Sequence, residues 1–320
     1  MAAQQTIGVL MGGVSREREV STWSGEQMLS ALGERGLSVR IDAEGLWRVG
    51  EGPVEGFGSA LERLRGSCAA VLIGLHGRFG EDGTVQALLE AAGLRYAGSG
   101  VAASALALDK LRSKWVYLGA GLPTPAFVAR CQGDEDAAVL KRVEDLKGPW
   151  VVKASHEGSS FGVHMADDLA RVRSALAEIE GEALVEQRLG GREFTCGVLE
   201  ELDGTPCALP VTEMITPDDA PFFDFDAKYS GGTQEITPAE VSERLSSDIQ
   251  ALALEAHRRL GCRHLSRTDF MEDDEGRLNI LETNTLPGMT KGSLVPQAAA
   301  AAGMSFSDLV ERLAELALRT

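Results

Sequence analysis

The chain has 320 residues, 44% hydrophobic and 25% charged, a globular composition whose length allows two or three compact domains. Acids outnumber bases 48 to 31, a formal net charge of -17, so there is no basic excess to neutralise a nucleic-acid backbone. A nucleotide is not excluded, because it needs only a local set of lysines and arginines.

Residues 6–11 read as a buried strand broken by Gly12-Gly13, with Ser15 placed to cap a helix running to about Gly33. Residues 69–75 form a second buried strand that ends at His76-Gly77, followed by a helix near 85–92 and a short strand at 94–97. Such alternation predicts a parallel sheet with helices on its faces, and ligands gather at the carboxyl ends of its strands. A helix over about 104–119 carries Asp109, Lys110, Arg112 and Lys114, and Pro123 and Pro125 lead into a new unit. That unit reads as α+β: strand 150–154, a Gly/Ser loop, strand 163–165, helix 166–179 and strand 183–187. Strands near 193–199 and 207–212 follow, then a polar-aromatic loop at 221–233 and a helix over 238–260. A hairpin, a helix around 298–302 and a final helix at 307–317 complete the chain. The expected units are 1–100, 101–185 and 186–320, an α/β domain followed by two α+β domains.

The five cysteines, Cys68, Cys131, Cys196, Cys207 and Cys262, form no C-x-x-C pair, which argues against zinc or thioredoxin-like chemistry and fits a reducing cytoplasm. The N-terminal residues lack the charged region of a signal peptide, and no apolar run reaches membrane-spanning length.

The strongest chemical signal lies at 269–290. Asp269 sits on one apolar run, and Glu282 and Asn284 end the next, two residues apart and so on one strand face. A turn through Asp273, Asp274, Glu275 and Gly276 folds the runs together. Two carboxylates and an amide oxygen suit Mg²⁺, which takes few protein carboxylates and several phosphate oxygens. The bland alternative is a hairpin face with its charges in water. Arg267, on the same face as Asp269, weighs against it, because a guanidinium there would neutralise charge on a transferring phosphoryl group.

Weaker signals surround this one. Lys153 ends an apolar strand and precedes His156-Glu157-Gly158-Ser159-Ser160-Phe161-Gly162, a flap whose backbone N–H groups can approach an anion, although it is no Walker loop. Glu17, in the first turn of a helix, favours the helix dipole in any protein, or it holds a substrate ammonium. Around Gln187–Gly191, Glu186 and Glu193 offer a strand end for an adenine edge and a carboxylate for ribose hydroxyls. Lys228-Tyr229, before Gly231-Gly232, reads as an ordinary surface loop or as a lid that excludes water.

In order along the chain, GGVSREREVS, LHGRFGEDG, KASHEGSSFGV, VEQRLGGREF, FDFDAKYSGGT, RTDF and LETNTLPGMTKGSLVP resemble the D-alanine–D-alanine ligases of the ATP-grasp superfamily. The resemblance implies three domains, with ATP clamped between the middle and last. It implies that ATP phosphorylates one D-alanine carboxylate and that the amine of a second D-alanine displaces phosphate, supplying peptidoglycan synthesis. Carried over residue by residue, Glu17 would bind the first ammonium and His76 would lie near that substrate's carboxylate. Lys110, Lys153, Ser160 and Lys228 would meet the phosphates, and Glu186, Gln187, Leu189 and Glu193 the adenosine. Ser159 and Tyr229 would link flap and lid to Glu17, and Arg267 and the Gly288 N–H would form the oxyanion site. Ser293 and Leu294 would hold the second carboxylate, and Asp269, Glu282 and Asn284 two Mg²⁺ (or Mn²⁺). A homodimer, no nucleic acid and no membrane belong to the same expectation. The chain departs from the common pattern at Ala154, where proline is frequent, at Gln187, where lysine is common, and at Phe223, where a lid tyrosine is sometimes found. The same fold using D-lactate or D-serine, an amino-acid ligase of another pathway, and a silent nucleotide-binding regulator are the alternatives.

Overall fold

The computed structural model describes residues 5–156, 162–216 and 233–320. The described residues form three sheets. The first has the order β4-β3-β2-β1-β5, with β1 (Ile7–Gly12) parallel to β2 (Gly36–Ile41) and β5 (Ala70–Ile73), and β3 (Trp47–Val49) and β4 (Val54–Glu55) antiparallel at the edge. β1 is buried throughout, as a strand covered on both faces must be. Its odd residues Ile7, Val9 and Met11 pack with α1 (Arg18–Leu32) and, from the far end of the sequence, with the C-terminal helix Phe306–Arg319. Leu10 faces the other way, into a core with α2 (Phe57–Ser67) and α3 (Thr84–Ala91).

The expected parallel sheet is present, but residues 36–67 add three strands and a helix that the sequence pattern left unassigned. Residues 94–97 make only an isolated parallel bridge, Val71 with Tyr96. Ser15 does not cap α1. Its Oγ donates to the His76 carbonyl (2.7 Å) and accepts from Glu17 N–H (3.2 Å), and the helix begins at Arg18 with Glu17 in the cap position. The helix expected over 104–119 is two, α4 (Val101–Leu108) and α5 (Lys110–Gly119). Asp109 breaks it by accepting hydrogen bonds from Leu111 and Arg112 N–H (3.1 Å each), the role for which a short acidic side chain is favoured over helix interior.

The second sheet, β6-β9-β7-β8, is antiparallel: β6 (Phe127–Arg130), β7 (Trp150–Ala154), β8 (Val163–Ala166) and β9 (Ala183–Gln187). Helices α6 (Asp136–Val143) and α7 (Leu169–Glu178) cover one face. The third runs β13-β12-β10-β14-β15 with β11 beside β10: β10 (Glu193–Glu200), β11 (Pro206–Ala208), β12 (Thr212–Ile215), β13 (Gln234–Ile236), β14 (Leu265–Glu272) and β15 (Leu278–Asn284). Helix α8 (Glu243–Leu260) closes its core against Phe194, Phe270 and Ile280. It starts at Glu243, five residues after the expected onset, because Ser242 caps it by accepting from Leu245 N–H. Helix α9 (Leu294–Ala301) follows the hairpin and α10 is the C-terminal helix Phe306–Arg319.

The expected hairpin is present, with Asp273 accepting from Glu275 and Arg277 N–H and Gly276 at φ 74°. It also holds a bulge: Asp269 lies opposite Glu282, but Phe270 lies opposite Ile280. In a regular strand Ile280 and Glu282 would share a face. The extra residue reverses this, so that Ile280 enters the core while Glu282 leaves it.

Candidate active site

Lys110 and Lys114 stand one turn apart on α5, which places both on the same side of the helix. Lys110 Nζ meets Glu282 Oε2 at 3.0 Å, so the helix is joined to the hairpin. Lys114 Nζ meets Glu186 Oε1 at 2.8 Å, and Lys153 Nζ meets Glu186 Oε2 at 2.7 Å. The register explains the second contact: Val151 of β7 lies opposite Glu186 of β9, so Lys153, two residues on, is its diagonal neighbour on one face. Burial opposes the charge on Glu186, but the two ammonium groups outweigh it and hold the carboxyl down at about 2. The lysines respond in opposite directions. Burial prevails at Lys114, which also feels Lys153, and lowers its pKa; at Lys153 burial is outweighed by Glu186, Glu282 and Glu193, and its pKa rises.

On the hairpin, Arg267 grips Asp269 through two hydrogen bonds, Nε to Oδ1 at 2.8 Å and Nη2 to Oδ2 at 2.7 Å, while Thr195 donates to Oδ1 at 2.6 Å. Burial opposes the guanidinium charge, but Asp269 outweighs it and keeps Arg267 more firmly protonated than usual. Asn284 lies opposite Arg267 and accepts from Leu286 N–H at 2.9 Å. Arg267, Asp269, Glu282 and Asn284 are therefore gathered as the sequence predicts. Their oxygen donors fit a hard cation such as Mg²⁺.

The third corner is built on the first sheet. His76, 6% exposed, has Nε2 at 2.9 Å from Ser24 Oγ and Nδ1 at 3.1 Å from the Leu286 carbonyl. Its own N–H donates to Ser21 Oγ at 2.9 Å. Glu17 lies over the next residue: a Cβ on Gly77 would come within 2.3 Å of Glu17 Oε2, and Gly77 also has φ 71°. On the loop after the hairpin, a Cβ on Gly288 would meet Ser293 Oγ at 2.8 Å. Ser293 and Thr290 hydroxyls are 2.8 Å apart, and Ser293 precedes α9 without capping it through its side chain. The N-terminus of that helix, from Leu294, presents backbone N–H groups suited to a carboxylate.

Gln187 donates its N–H to the Ala126 carbonyl at 2.9 Å at the end of β9, Leu189 follows in the loop and Glu193 opens β10. Ser159, Ser160, Lys228, Tyr229 and Phe223 lie outside the described residues. Sequence reasoning assigned no role to Lys114. The available signal was its spacing: like charges at i and i+4 repel on a helix unless an anion is placed between them. Among the described residues Asp109, His156 and Glu182 form a separate His/Asp/Glu group. Arg112 already bridges Asp109 (2.8 Å) and Glu182 there, which makes it an ion-pair cluster.

Lysines of α5 and β7 that meet the carboxylates of β9 and of an oxygen-bearing hairpin are the arrangement of the ATP-grasp class of carboxylate–amine ligases. The D-ala D-ala ligase N-terminus model matches residues 54–99 and the D-ala D-ala ligase C-terminus model matches residues 116–315. The chain is 43% identical over 316 residues to the D-alanine–D-alanine ligase of Hydrogenovibrio crunogenus, covering 98% of this chain and 94% of that protein. Its structure resembles the D-alanine–D-alanine ligase of Bacillus anthracis complexed with ATP (TM-score 0.80, 30% identity, 99% and 98% of the two chains). It also resembles the VanG D-Ala:D-Ser ligase of Enterococcus faecalis (TM-score 0.83, 27% identity, 98% and 100%). The chain belongs to the D-alanine–D-alanine ligase family.

Proposed function

We propose that this chain joins two D-alanine molecules into D-alanyl-D-alanine at the expense of ATP, for peptidoglycan precursor synthesis. The observation that carries this reading is the meeting of Lys110 with Glu282 at 3.0 Å, which brings a phosphate-binding helix onto the oxygen-rich hairpin. The carboxylate of the first D-alanine takes the γ-phosphoryl group and becomes an acyl phosphate. The amine of the second attacks the acyl carbon, and the C–O bond to phosphate breaks as the peptide bond forms. Lys110 and Lys153 hold the phosphates, with Ser160 and Lys228 of flap and lid. Glu186, Gln187, Leu189 and Glu193 line the adenosine end, where the chain runs out of β9 after Gln187.

Glu17 receives the first ammonium, and His76, fixed by Ser24 and Leu286, faces that substrate. Arg267 and the Gly288 N–H stabilise the oxyanion of the tetrahedral intermediate. Ser293 and the N-terminus of α9 at Leu294 hold the second carboxylate. Ser159 and Tyr229 tie flap and lid to Glu17. Asp269, Glu282 and Asn284 would hold two Mg²⁺ (or Mn²⁺), which offset phosphate charge when bound.

We read three units, 1–100, 101–185 and 186–320. We also infer a homodimer, and a place in the cytoplasm, where ATP is available. Among the described residues no helix is long and apolar enough to cross a membrane. On α1 Trp23 is the exposed apolar residue, whereas Val20 and Met28 belong to the core. The test is to incubate the protein with ATP, Mg²⁺ and single D-amino or D-hydroxy acids and to measure phosphate release and product mass. D-alanine alone should yield phosphate and a dipeptide. Phosphate release only when D-lactate or D-serine is added would assign the second site to those acceptors, and none with any of them would end the reading.

A further inference from the structure

Lys110 and Lys153 rise from different elements, and a buried residue that the proposed reaction does not use joins their main chains. Ser155 lies just beyond the end of β7, two residues after Lys153, and is 0% exposed. Its carbonyl accepts from Lys110 N–H at 2.9 Å, and its own N–H donates to the Glu182 carbonyl at 3.0 Å, just before β9. Its Oγ donates to Asp109 Oδ1 at 2.7 Å and accepts from Leu111 N–H at 3.2 Å. Asp109 is buried as well.

Helix capping alone does not need this arrangement. Asp109 Oδ1 already takes the N–H groups of Leu111 and Arg112, which satisfies the start of α5 locally. The bond from Ser155 comes from 46 residues away and ties that start to the end of β7. Lys110 directly follows Asp109 and Lys153 shortly precedes Ser155, so both lysines spring from backbone held at one joint. Asp109 Oδ2 faces other groups, Arg112 Nη1 at 2.8 Å and His156 Nε2 at 3.0 Å, and Arg112 also bridges to Glu182. The ammonium heads have carboxylates of their own: Glu282 for Lys110, and Glu186 for Lys153, on which Glu282 and Glu193 also act. A lysine stem is flexible, so those partners fix the heads and the joint fixes the roots.

We propose that Ser155 and Asp109 are a positioning pair whose hydrogen bond sets the spacing of Lys110 and Lys153 for the phosphates of the nucleotide. The inference rests on the nucleotide reading of this cleft. Without the Ser155 hydroxyl, the start of α5 is joined to Ser155 by the single main-chain bond from Lys110 N–H, about which it pivots. A phosphate chain held by one lysine then lies out of register with the other. The main-chain bond of Ser155 to Glu182 is untouched, so β9 and the adenosine end that follows it stay in place.

The test is ATP and adenosine binding by calorimetry, with steady-state kinetics, for wild type, Ser155→Ala, Asp109→Asn and Asp109→Ser. Ser155→Ala should weaken ATP binding and raise KM for ATP by about tenfold, while adenosine binding and KM for D-alanine stay within about threefold. Asp109→Asn keeps an Oδ1 acceptor for Ser155 and leaves Arg112 its bridge to Glu182, and it should bind ATP within about threefold of wild type. Asp109→Ser still caps α5, but its shorter side chain falls short of Ser155, and it should lose as much ATP affinity as Ser155→Ala. Equal ATP affinity in wild type and Ser155→Ala, equal losses for ATP and adenosine, or Asp109→Asn as weak as Asp109→Ser overturns the inference and leaves the nucleotide reading intact. Failure of the wild-type protein to bind ATP removes both. Should Ser155→Ala not fold, the two Asp109 variants decide by themselves: ATP binding weakened about tenfold in Asp109→Ser and kept in Asp109→Asn supports the inference, and equal affinities in the two overturn it.

Discussion

On the hairpin side of the cleft, Arg267 meets Asp269 and Lys110 meets Glu282, two cations on two carboxylates. On the middle-sheet side, Lys114 and Lys153 share the one carboxylate of Glu186. The first arrangement is balanced before any ligand arrives, and its groups can exchange partners as charge builds up on a substrate. In the second, two ammonium groups share one carboxylate, and Glu282 and Glu193 also act on Lys153. The two sides thus pair their charges differently, one cation to each carboxylate on the hairpin and two cations to the one carboxylate of Glu186.

The comparison breaks most visibly at Glu282. Glu282→Ala should lower kcat by about 10³-fold, because it deletes both a proposed cation ligand and the partner of Lys110. Turnover near the wild-type rate at limiting Mg²⁺ would show that the balanced side is not the reacting side. Arg267→Lys should lower kcat by about 10²-fold with KM for ATP little changed, since lysine cannot reproduce the two-point grip on Asp269. A rise in KM for ATP instead would move Arg267 to the binding side of the comparison.

Smaller effects sharpen it. Ser24→Ala removes the hydroxyl beside His76 Nε2 and should raise KM for D-alanine about fivefold, the worth of one buried hydrogen bond of ~1 kcal/mol, with KM for ATP unmoved. The smallest effect concerns pH. Glu186 is held down at about 2 from 4.5, so its contribution to stability is complete above 4.5 and is lost as pH falls toward 2. Between those limits Tm should fall with acid, and less steeply in Glu186→Gln. Parallel slopes would mean that this carboxylate is not linked to folding.

The sequence and the structure agree where local chemistry is unambiguous. The acidic Gly-containing turn and the alternation after it predict the hairpin and the common face of Glu282 and Asn284, and the continuous apolar run at 7–11 predicts the buried strand β1. The bulge near Leu281 was not legible, because it depends on how Ile280 fits the core rather than on residue type. Nor was the break at Asp109, where one capping aspartate interrupts an otherwise helical stretch. Residues 36–67 escaped because β2 alternates weakly and β3 and β4 are only three and two residues long. The return of the last helix onto the first sheet is a contact between sequence extremes, which no local pattern encodes. Lys114 was visible in the helix, but its meaning needed Glu186, on a strand about seventy residues later, to be brought to it.

The central claim is that ATP activates a D-alanine carboxylate in this cleft. It is tested most directly with D-alanine carrying ¹⁸O in its carboxyl group, by mass analysis of the phosphate released. Attack of that carboxylate on the γ-phosphorus, followed by cleavage of the acyl C–O bond, predicts one ¹⁸O atom in each phosphate formed together with the dipeptide. Dipeptide accompanied by unlabelled phosphate would contradict the account.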